Sequence, residues 1–161
     1  MKKTLILIAW LAPLAAQADK ARMPTDAPPA FQSECGSCHV AFPPGLMSAE
    51  DWRQVMQRLD EHYGDNASLD EPTRRTIEAF LVRTAGPLLK LGAGAPARAG
   101  EPPRLTRTRW FQREHREVAA ADWNHPKVKS PANCAACHTR AAQGSYRESE
   151  IVLPSGRRWE D

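Results

Sequence analysis

The stretch "QSECGSCHV" at residues 32–40 contains the pattern Cys-x-x-Cys-His, and "PANCAACHTR" at residues 131–140 contains it again. Together the two copies use all 4 cysteines of the 161-residue chain. Two cysteines three positions apart lie on one turn of a helix, so both sulfurs can reach the same bound group. The histidine that follows then lies beside that group. The repeated order therefore indicates a chemistry that uses two thiols and one imidazole together.

This order is the attachment signature of c-type haem. The two sulfurs form thioethers to one porphyrin, and the imidazole of the next residue binds the iron as its proximal ligand. We therefore predict that Cys35, Cys38 and His39 hold one covalent haem c, called haem 1. The second motif holds haem 2 in the same way, through Cys134, Cys137 and His138.

Three other uses of these residue types fit the pattern less well. Structural zinc sites use paired knuckles with other spacings, and zinc gives no reason for a histidine at the same offset in both copies. A thioredoxin-type redox pair needs a surrounding βαβ pattern, which this sequence lacks. Disulfides, the usual reading of four cysteines in an exported chain, leave both histidines unexplained. The pattern therefore favours two haems.

The N-terminus has the three parts of a Sec-type signal peptide. A basic "MKK" precedes the apolar run "TLILIAWLAPLA", and "AQA" ending at Ala18 supplies a small-x-small cleavage site. The apolar run is short for a stable membrane span, and no stop-transfer segment follows it. We therefore predict that residues 1–18 are removed and that the protein is exported to the periplasm. The alternative is an uncleaved anchor. No later stretch predicts a membrane span.

The remaining chain divides into two halves, each with one motif. We predict an N-terminal haem c domain at residues 19–86, a linker rich in Pro, Gly and Ala at residues 87–103, and a C-terminal haem c domain at residues 104–161. Outside the motif the halves are not repeats. Neither half has enough apolar residues for a core of its own, so each porphyrin must supply much of it. The apoprotein is therefore expected to be largely unfolded.

Apolar residues at helical spacing predict a mainly α fold, and no strand pattern persists. A short helix should carry the first motif and stop at "FPPG", residues 42–45. A second helix should begin after Ser48, with Asp51 completing the cap. Its inward stripe consists of Trp52, Val55, Met56 and Leu59.

Two further helices are predicted by the same signals. The third should be capped by Asp70 or Ser68, with Pro72 in its first turn. Its buried face consists of Ile77, Phe80 and Leu81. The stretch "RTRWFQREHREVAA", residues 107–120, should form an amphipathic helix with Phe111, His115 and Val118 on one face.

The second axial ligand decides what each iron can do, because two strong ligands make an electron carrier and an open position permits catalysis. His62 lies on the inward stripe of the second predicted helix, and His115 shares a face with Phe111. We therefore expect His62 to bind the iron of haem 1 and His115 that of haem 2, with an exchange of the two left open. His125 precedes Pro126 in extended backbone and is expected at the surface.

Methionine is the usual rival ligand. Met23, Met47 and Met56 follow the signal peptide, and all three lie in the first half of the chain. Met47 and Met56 therefore remain alternatives to His62 at haem 1. Haem 2 has no methionine in its own half.

Four stretches together resemble the dihaem cytochrome c family, often called DHC: "CGSCHVAFPPGLM", "DEHYGDNASLDE", "RTRWFQREHREV" and "VKSPANCAACH". The resemblance covers nearly all of the chain after residue 18. It implies a small class I cytochrome-c-like N-terminal haem domain and a less regular C-terminal haem domain. It also implies bis-histidine irons, with His39 and His138 as proximal ligands and His62 and His115 as distal ligands. His125 matches no histidine of the family pattern.

The resemblance further implies a periplasmic electron carrier with no catalytic residues. Its expected partners are redox proteins, among them an oxygen-binding monohaem cytochrome (the sphaeroides haem protein) and a membrane b-type cytochrome. The alternative is a small dihaem redox enzyme, peroxidase-like, with one open or labile iron. The short chain leaves little material for a substrate pocket. Nucleic acid is not an expected partner, since the basic residues are scattered.

The two motifs predict the haem content directly. Mass spectrometry should show two covalently bound haems per chain, resistant to acid–acetone extraction. The double variant Cys134→Ala, Cys137→Ala should retain one, because the first motif is intact. Zinc in the purified protein, or haem that extracts freely, would contradict the prediction.

Overall fold

The computed structural model of the protein describes residues 22–96 and 98–159. The predicted signal peptide, residues 1–18, lies outside this range. The described residues form short α-helices and 3₁₀ turns joined by loops, and their only β-pairing is a set of isolated bridges. The prediction of a mainly α fold is therefore confirmed. Within the described ranges, no helix is both long enough and apolar enough to cross a membrane.

Six α-helices follow one another in the described part of the chain. They are α1 (Pro29–Cys35), α2 (Ala49–Met56), α3 (Glu71–Arg83), α4 (Leu88–Leu91), α5 (Arg109–Glu114) and α6 (Ala120–Trp123). Within residues 22–96 and 98–159, six 3₁₀ turns lie between and after these helices: Pro44–Leu46, Leu59–Glu61, Leu105–Arg107, Cys134–Ala136, Ala141–Gln143 and Glu148–Glu150.

Helix α1 carries only the first residue of the first motif. It ends at Cys35, and Gly36, which has a low helical propensity, takes the C-cap position. The expectation that this helix carries the whole motif is therefore wrong, and Cys38 and His39 lie on the turn that follows. The "FPPG" stretch does not stop the helix either, since Pro44 begins a separate 3₁₀ turn.

Helix α2 begins as predicted, because the Ser48 hydroxyl accepts a hydrogen bond of 3.1 Å from the Asp51 amide. Its buried face includes the predicted Trp52, Val55 and Met56. The helix ends at Met56, however, one turn earlier than the stripe suggested. His62 therefore does not lie on this helix, and the prediction that placed it there is wrong.

Helix α3 supplies the other side of the core. The Asp70 carboxylate caps it by accepting from the Thr73 amide at 3.0 Å, and Pro72 lies in the first turn. The face predicted from spacing is buried, with Ile77, Phe80 and Leu81 at most 2% exposed. Helix α3 packs on α2, and the ring of Phe31 from α1 lies 5.0 Å from that of Phe80.

The Pro- and Gly-rich segment at residues 87–103 contains the one-turn helix α4, whose Leu91 is completely buried. The Gly94 amide donates at 3.0 Å to the carboxylate of Asp51, itself a buried residue of α2. One hydrophobic core cluster includes both Ile77 from the first half and Phe111 from the second. The domain boundaries stay a prediction, but this segment is anchored to the first half and the two halves share a core.

Helix α5 begins where the Thr108 hydroxyl accepts from the Phe111 amide at 3.1 Å. It ends at Glu114, with His115 as its C-cap. The predicted helix at residues 107–120 is thus shorter than expected, and Val118 lies beyond it. After α6 the described chain has only 3₁₀ turns, loops and bridges, one of which pairs His138 with Ile151.

The packing of α3 predicts a strong effect of one core substitution. Ile77→Ala should lower the free energy of unfolding of the holoprotein by about 2–5 kcal/mol, because it leaves a cavity at a fully buried position. Arg75→Ala, on the exposed side of the same helix, should change it much less, since a surface ion pair contributes little. Guanidinium denaturation measures both. Equal effects of the two substitutions would contradict this account of the core.

Candidate haem-binding sites

All four cysteines lie in the described part of the chain as free thiols, so they form no disulfide. Burial raises the pKa of Cys35 and of Cys134 to about 11. Without a bound group both thiols are therefore protonated at neutral pH, whereas a thioredoxin-type cysteine acts as a thiolate. Among the described residues, no three His, Cys, Asp or Glu side chains are grouped so as to hold a metal ion. The thioredoxin alternative thus gains no support.

The histidine of the first motif faces His62. The centroids of the His39 and His62 rings are 6.3 Å apart, and the two planes differ by only 17°. His39 stacks on Phe42 at 4.7 Å, which fixes its plane from the motif side. His62 takes the C-cap position of the 3₁₀ turn Leu59–Glu61. Two residues far apart along the first half thus present parallel imidazoles to each other.

The histidine of the second motif faces His115 in a similar way. The ring centroids of His115 and His138 are 6.2 Å apart, with planes at 74°. The Phe111 ring stacks on His115 at 4.0 Å, and Trp123 of α6 lies 5.9 Å from the same imidazole. The end of α5 and these two aromatic rings therefore hold His115 toward the second motif.

Both separations fit two axial ligands of one iron. An imidazole nitrogen binds a metal ion at about 2 Å, and the centre of a five-membered ring lies about 1 Å behind that nitrogen. Two imidazoles on opposite sides of one ion therefore have centroids about 6 Å apart. The pairs at 6.3 and 6.2 Å both match this value.

Hydrogen bonds prepare two of these imidazoles to bind metal. Nδ1 of His39 lies 2.8 Å from the Val40 carbonyl oxygen, and Nδ1 of His115 lies 2.9 Å from that of Phe111. A carbonyl only accepts, so Nδ1 carries the proton in both rings and Nε2 keeps its lone pair for a metal. These contacts also orient each ring.

Burial keeps the remaining imidazoles uncharged. Burial, and then the facing His39, lower the pKa of His62. Burial, and then the facing His115, lower the pKa of His138 to about 4. Neutral imidazole is the form that binds metal. Nδ1 of both rings is buried with no hydrogen-bond partner among the described residues.

The two tyrosines of the chain both lie against these histidines. The ring of Tyr63 meets His62 edge-on at 4.7 Å, and that of Tyr146 lies 5.3 Å from His138. The Tyr63 hydroxyl donates to the Pro103 carbonyl at 2.6 Å, and burial raises its pKa to about 12. Sequence reasoning missed both residues, although Tyr63 directly follows His62.

Comparison with known proteins agrees with this geometry. The family model described as "Dihaem cytochrome c" matches residues 31–146 of the chain. The chain belongs to the dihaem cytochrome c family. It is accordingly a haem-based redox protein with two covalently bound haem c groups. The resemblance noted from the sequence is confirmed.

Solved structures of this family share the fold. A diheme cytochrome type c from Shewanella baltica is 33% identical, with a TM-score of 0.69 over 82% of this chain and 97% of that one. A DHC purified from Rhodobacter sphaeroides is 38% identical, with a TM-score of 0.62 over 77% and 99% of the two chains. A second structure of the diheme cytochrome c from that organism is also 38% identical, with a TM-score of 0.63. No curated protein matches the chain with significance.

A groove of about 260 Å³ lies between the first motif of this dihaem cytochrome c and the segment that follows the second. Gly36 of the first motif and Val40 just after it line one side, and Ala141 and Gly144 line the other. Gly144 has a φ of +73°, and a Cβ there would lie 3.1 Å from that of Met23. The first motif and the segment that follows the second are therefore neighbours in space.

The other candidate ligands lie elsewhere in the dihaem cytochrome. Nδ1 of His125 accepts a hydrogen bond from the Lys127 amide at 3.2 Å, and His125 forms no ring contact with either facing pair in the described structure. Met47 and Met56 are buried in the hydrophobic core cluster at 2% and 3% exposure. Both methionines thus behave as core side chains.

Proposed function

We propose that this protein carries single electrons between redox partners in the periplasm, through two haems whose irons are each bound by two histidines. The observation that carries the proposal is the pair of facing imidazole couples, at 6.3 and 6.2 Å. Haem c supplies one-electron chemistry at its iron when bound. Two strong ligands leave no position for a substrate, which is the arrangement of an electron carrier.

Each residue has a distinct role in this proposal. The four cysteines attach the porphyrins, and His39 and His138 are the proximal ligands. His62 completes haem 1 and His115 completes haem 2. The short separation within each couple supports this pairing over an exchange of His62 and His115 between the haems.

The surrounding residues keep the four imidazoles neutral and oriented. Val40 and Phe111 accept the Nδ1 protons of His39 and His115, which leaves Nε2 of each as the donor atom. Phe42 and Phe111 stack on the same two rings and exclude water from one face of each. Rings held this way need little rearrangement between two oxidation states, and small rearrangement favours fast electron exchange.

The groove between the first motif and the segment after the second supports passage of electrons within one molecule. Residues beside Cys38 and residues after His138 line the same narrow space. Electrons entering at one haem would therefore have a short route to the other. We propose that the protein uses the two haems in series.

The peroxidase-like alternative needs an open iron and an acid–base group beside it. His125 is the one histidine outside the two couples, and its ring is hydrogen-bonded to the backbone of its own loop. The facing couples leave neither iron short of a ligand. The geometry therefore favours the carrier.

The proposed setting rests on the N-terminal sequence and on the family. Export through the predicted signal peptide places the protein in the periplasm. Its proposed partners are redox proteins there, including an oxygen-binding monohaem cytochrome and a membrane b-type cytochrome.

Optical spectra separate the two functions. The oxidised and reduced holoprotein should be low-spin, and carbon monoxide should leave the reduced spectrum unchanged. Added peroxide should oxidise reduced protein without sustained turnover of a donor dye. A carbon monoxide adduct in the unmodified protein, together with peroxide turnover, would favour the enzyme.

Removal of His62 should open haem 1. In the reduced His62→Ala variant, one of the two irons should bind carbon monoxide, because its second imidazole is gone. Met56→Leu is the matched control: it keeps the core volume and should leave both irons unreactive. If Met56→Leu opens an iron and His62→Ala does not, the ligand of haem 1 is the methionine.

Removal of His115 should open haem 2 in the same assay. His115→Ala should give one reactive iron and a shifted midpoint potential, since the stacked imidazole at the end of α5 is lost. His125→Ala should leave both irons six-coordinate and low-spin. A normal spectrum for His115→Ala would exclude it as a ligand.

A further inference from the structure

Tyr63 and Arg104 form a stacked contact beside His62. The ring of Tyr63 meets the His62 imidazole edge-on at 4.7 Å. The guanidinium carbon of Arg104 lies over the Tyr63 ring, 4.3 Å from its centroid. Such a cation over an aromatic ring is an attractive arrangement, and Arg is the residue that forms it most often. The three side chains thus form one column that begins at the His62 ring.

Tyr63 and Arg104 are each anchored by hydrogen bonds. The Tyr63 hydroxyl donates to the Pro103 carbonyl at 2.6 Å. The Arg104 guanidinium donates to the Glu101 carboxylate at 3.1 and 3.3 Å, and its backbone amide donates to the Ala95 carbonyl at 3.2 Å. The Arg104 and Glu101 side chains are only 30% and 17% exposed. Neither charge is therefore freely mobile in solvent.

The backbone at Tyr63 is held in an unfavourable conformation. Its φ is +55°, in the left-handed region that residues with a side chain seldom adopt. Such a conformation costs free energy and persists only where surrounding contacts impose it. The hydrogen bond to Pro103 and the guanidinium of Arg104 are contacts of that kind. Their combined effect is to set the Tyr63 ring against His62.

We propose that Tyr63 and Arg104 are positioning residues for the His62 imidazole, and that the charge of Arg104 raises the reduction potential of haem 1. This inference rests on the proposed ligation of haem 1 by His62. A nearby positive charge favours the reduced iron, which carries one positive charge fewer. Glu101 has the opposite effect on the iron. Partial burial weakens the screening of both charges by salt.

The test compares two substitutions with opposite expected signs. In a redox titration of the holoprotein, Arg104→Gln should lower one midpoint potential, and Glu101→Gln should raise the same one. We expect about a tenfold change in the reduction equilibrium of that haem for each, equal to about 59 mV in a one-electron couple. A role in folding alone would not give shifts of opposite sign.

Two further variants serve as controls for the charge. Arg104→Lys keeps the charge, so the midpoint potential of haem 1 should stay close to that of the unmodified protein. Arg107→Gln removes a charge from the same segment, where the exposed side chain donates to the Pro96 carbonyl. This substitution should change the reduction equilibrium of either haem by less than about twofold. Two results would overturn the charge effect. One is an equal shift in midpoint potential for Arg104→Gln and Arg107→Gln. The other is a shift of the same sign for Arg104→Gln and Glu101→Gln.

Tyr63 is tested through ligand exchange. Tyr63→Phe removes only the hydroxyl that bonds to Pro103, and Tyr63→Ala removes the ring as well. Carbon monoxide should bind reduced haem 1 in Tyr63→Ala at least tenfold faster than in Tyr63→Phe, because His62 loses its support. Identical rates in the two variants would overturn the positioning role. If His62→Ala itself opens no iron, the proposed ligation fails instead, and the two failures are thereby distinguished.

Discussion

The structure depends on one constraint, which is that each Cys-x-x-Cys-His motif presents an imidazole directly opposite a second imidazole at about 6 Å. The thioether bonds attach each porphyrin to its cysteines, so the next residue, the motif histidine, is held beside the iron of that porphyrin. The opposing histidine must then be brought to that place by the fold. Tertiary packing in this small protein serves that requirement at both haems.

The two opposing histidines are held by different means. His115 is the C-cap of helix α5. Its ring stacks on that of Phe111, and its Nδ1–H donates to the Phe111 carbonyl, so one helical turn orients it. His62 caps a 3₁₀ turn, and its Nδ1 has no such bond among the described residues, so its support comes from Tyr63 and the segment at residues 101–104. In the proposed ligation, the support of haem 1 therefore comes from a segment distant in sequence, whereas the support of haem 2 is local. The shared hydrophobic cluster that contains Phe111 and Ile77 keeps those halves together.

Much of this could be predicted from the sequence, because the decisive signals are local. The motifs identify the cysteines and proximal histidines, and the caps at Ser48 and Asp70 mark the starts of α2 and α3. The extent of the helices could not be predicted: Gln57 and Arg58 favour helix as much as the residues before them, yet α2 stops at Met56. The role of Tyr63 also escaped prediction, since its hydroxyl partner, Pro103, lies 40 positions away.

A crystal structure of the holoprotein tests the central claim most directly. The account predicts that one iron is bound by Nε2 of His39 and of His62, and the other by Nε2 of His115 and of His138. It also predicts that the Tyr63 ring and the Arg104 guanidinium keep their places beside His62. A methionine sulfur, a water molecule or His125 at the sixth position of either iron would contradict it.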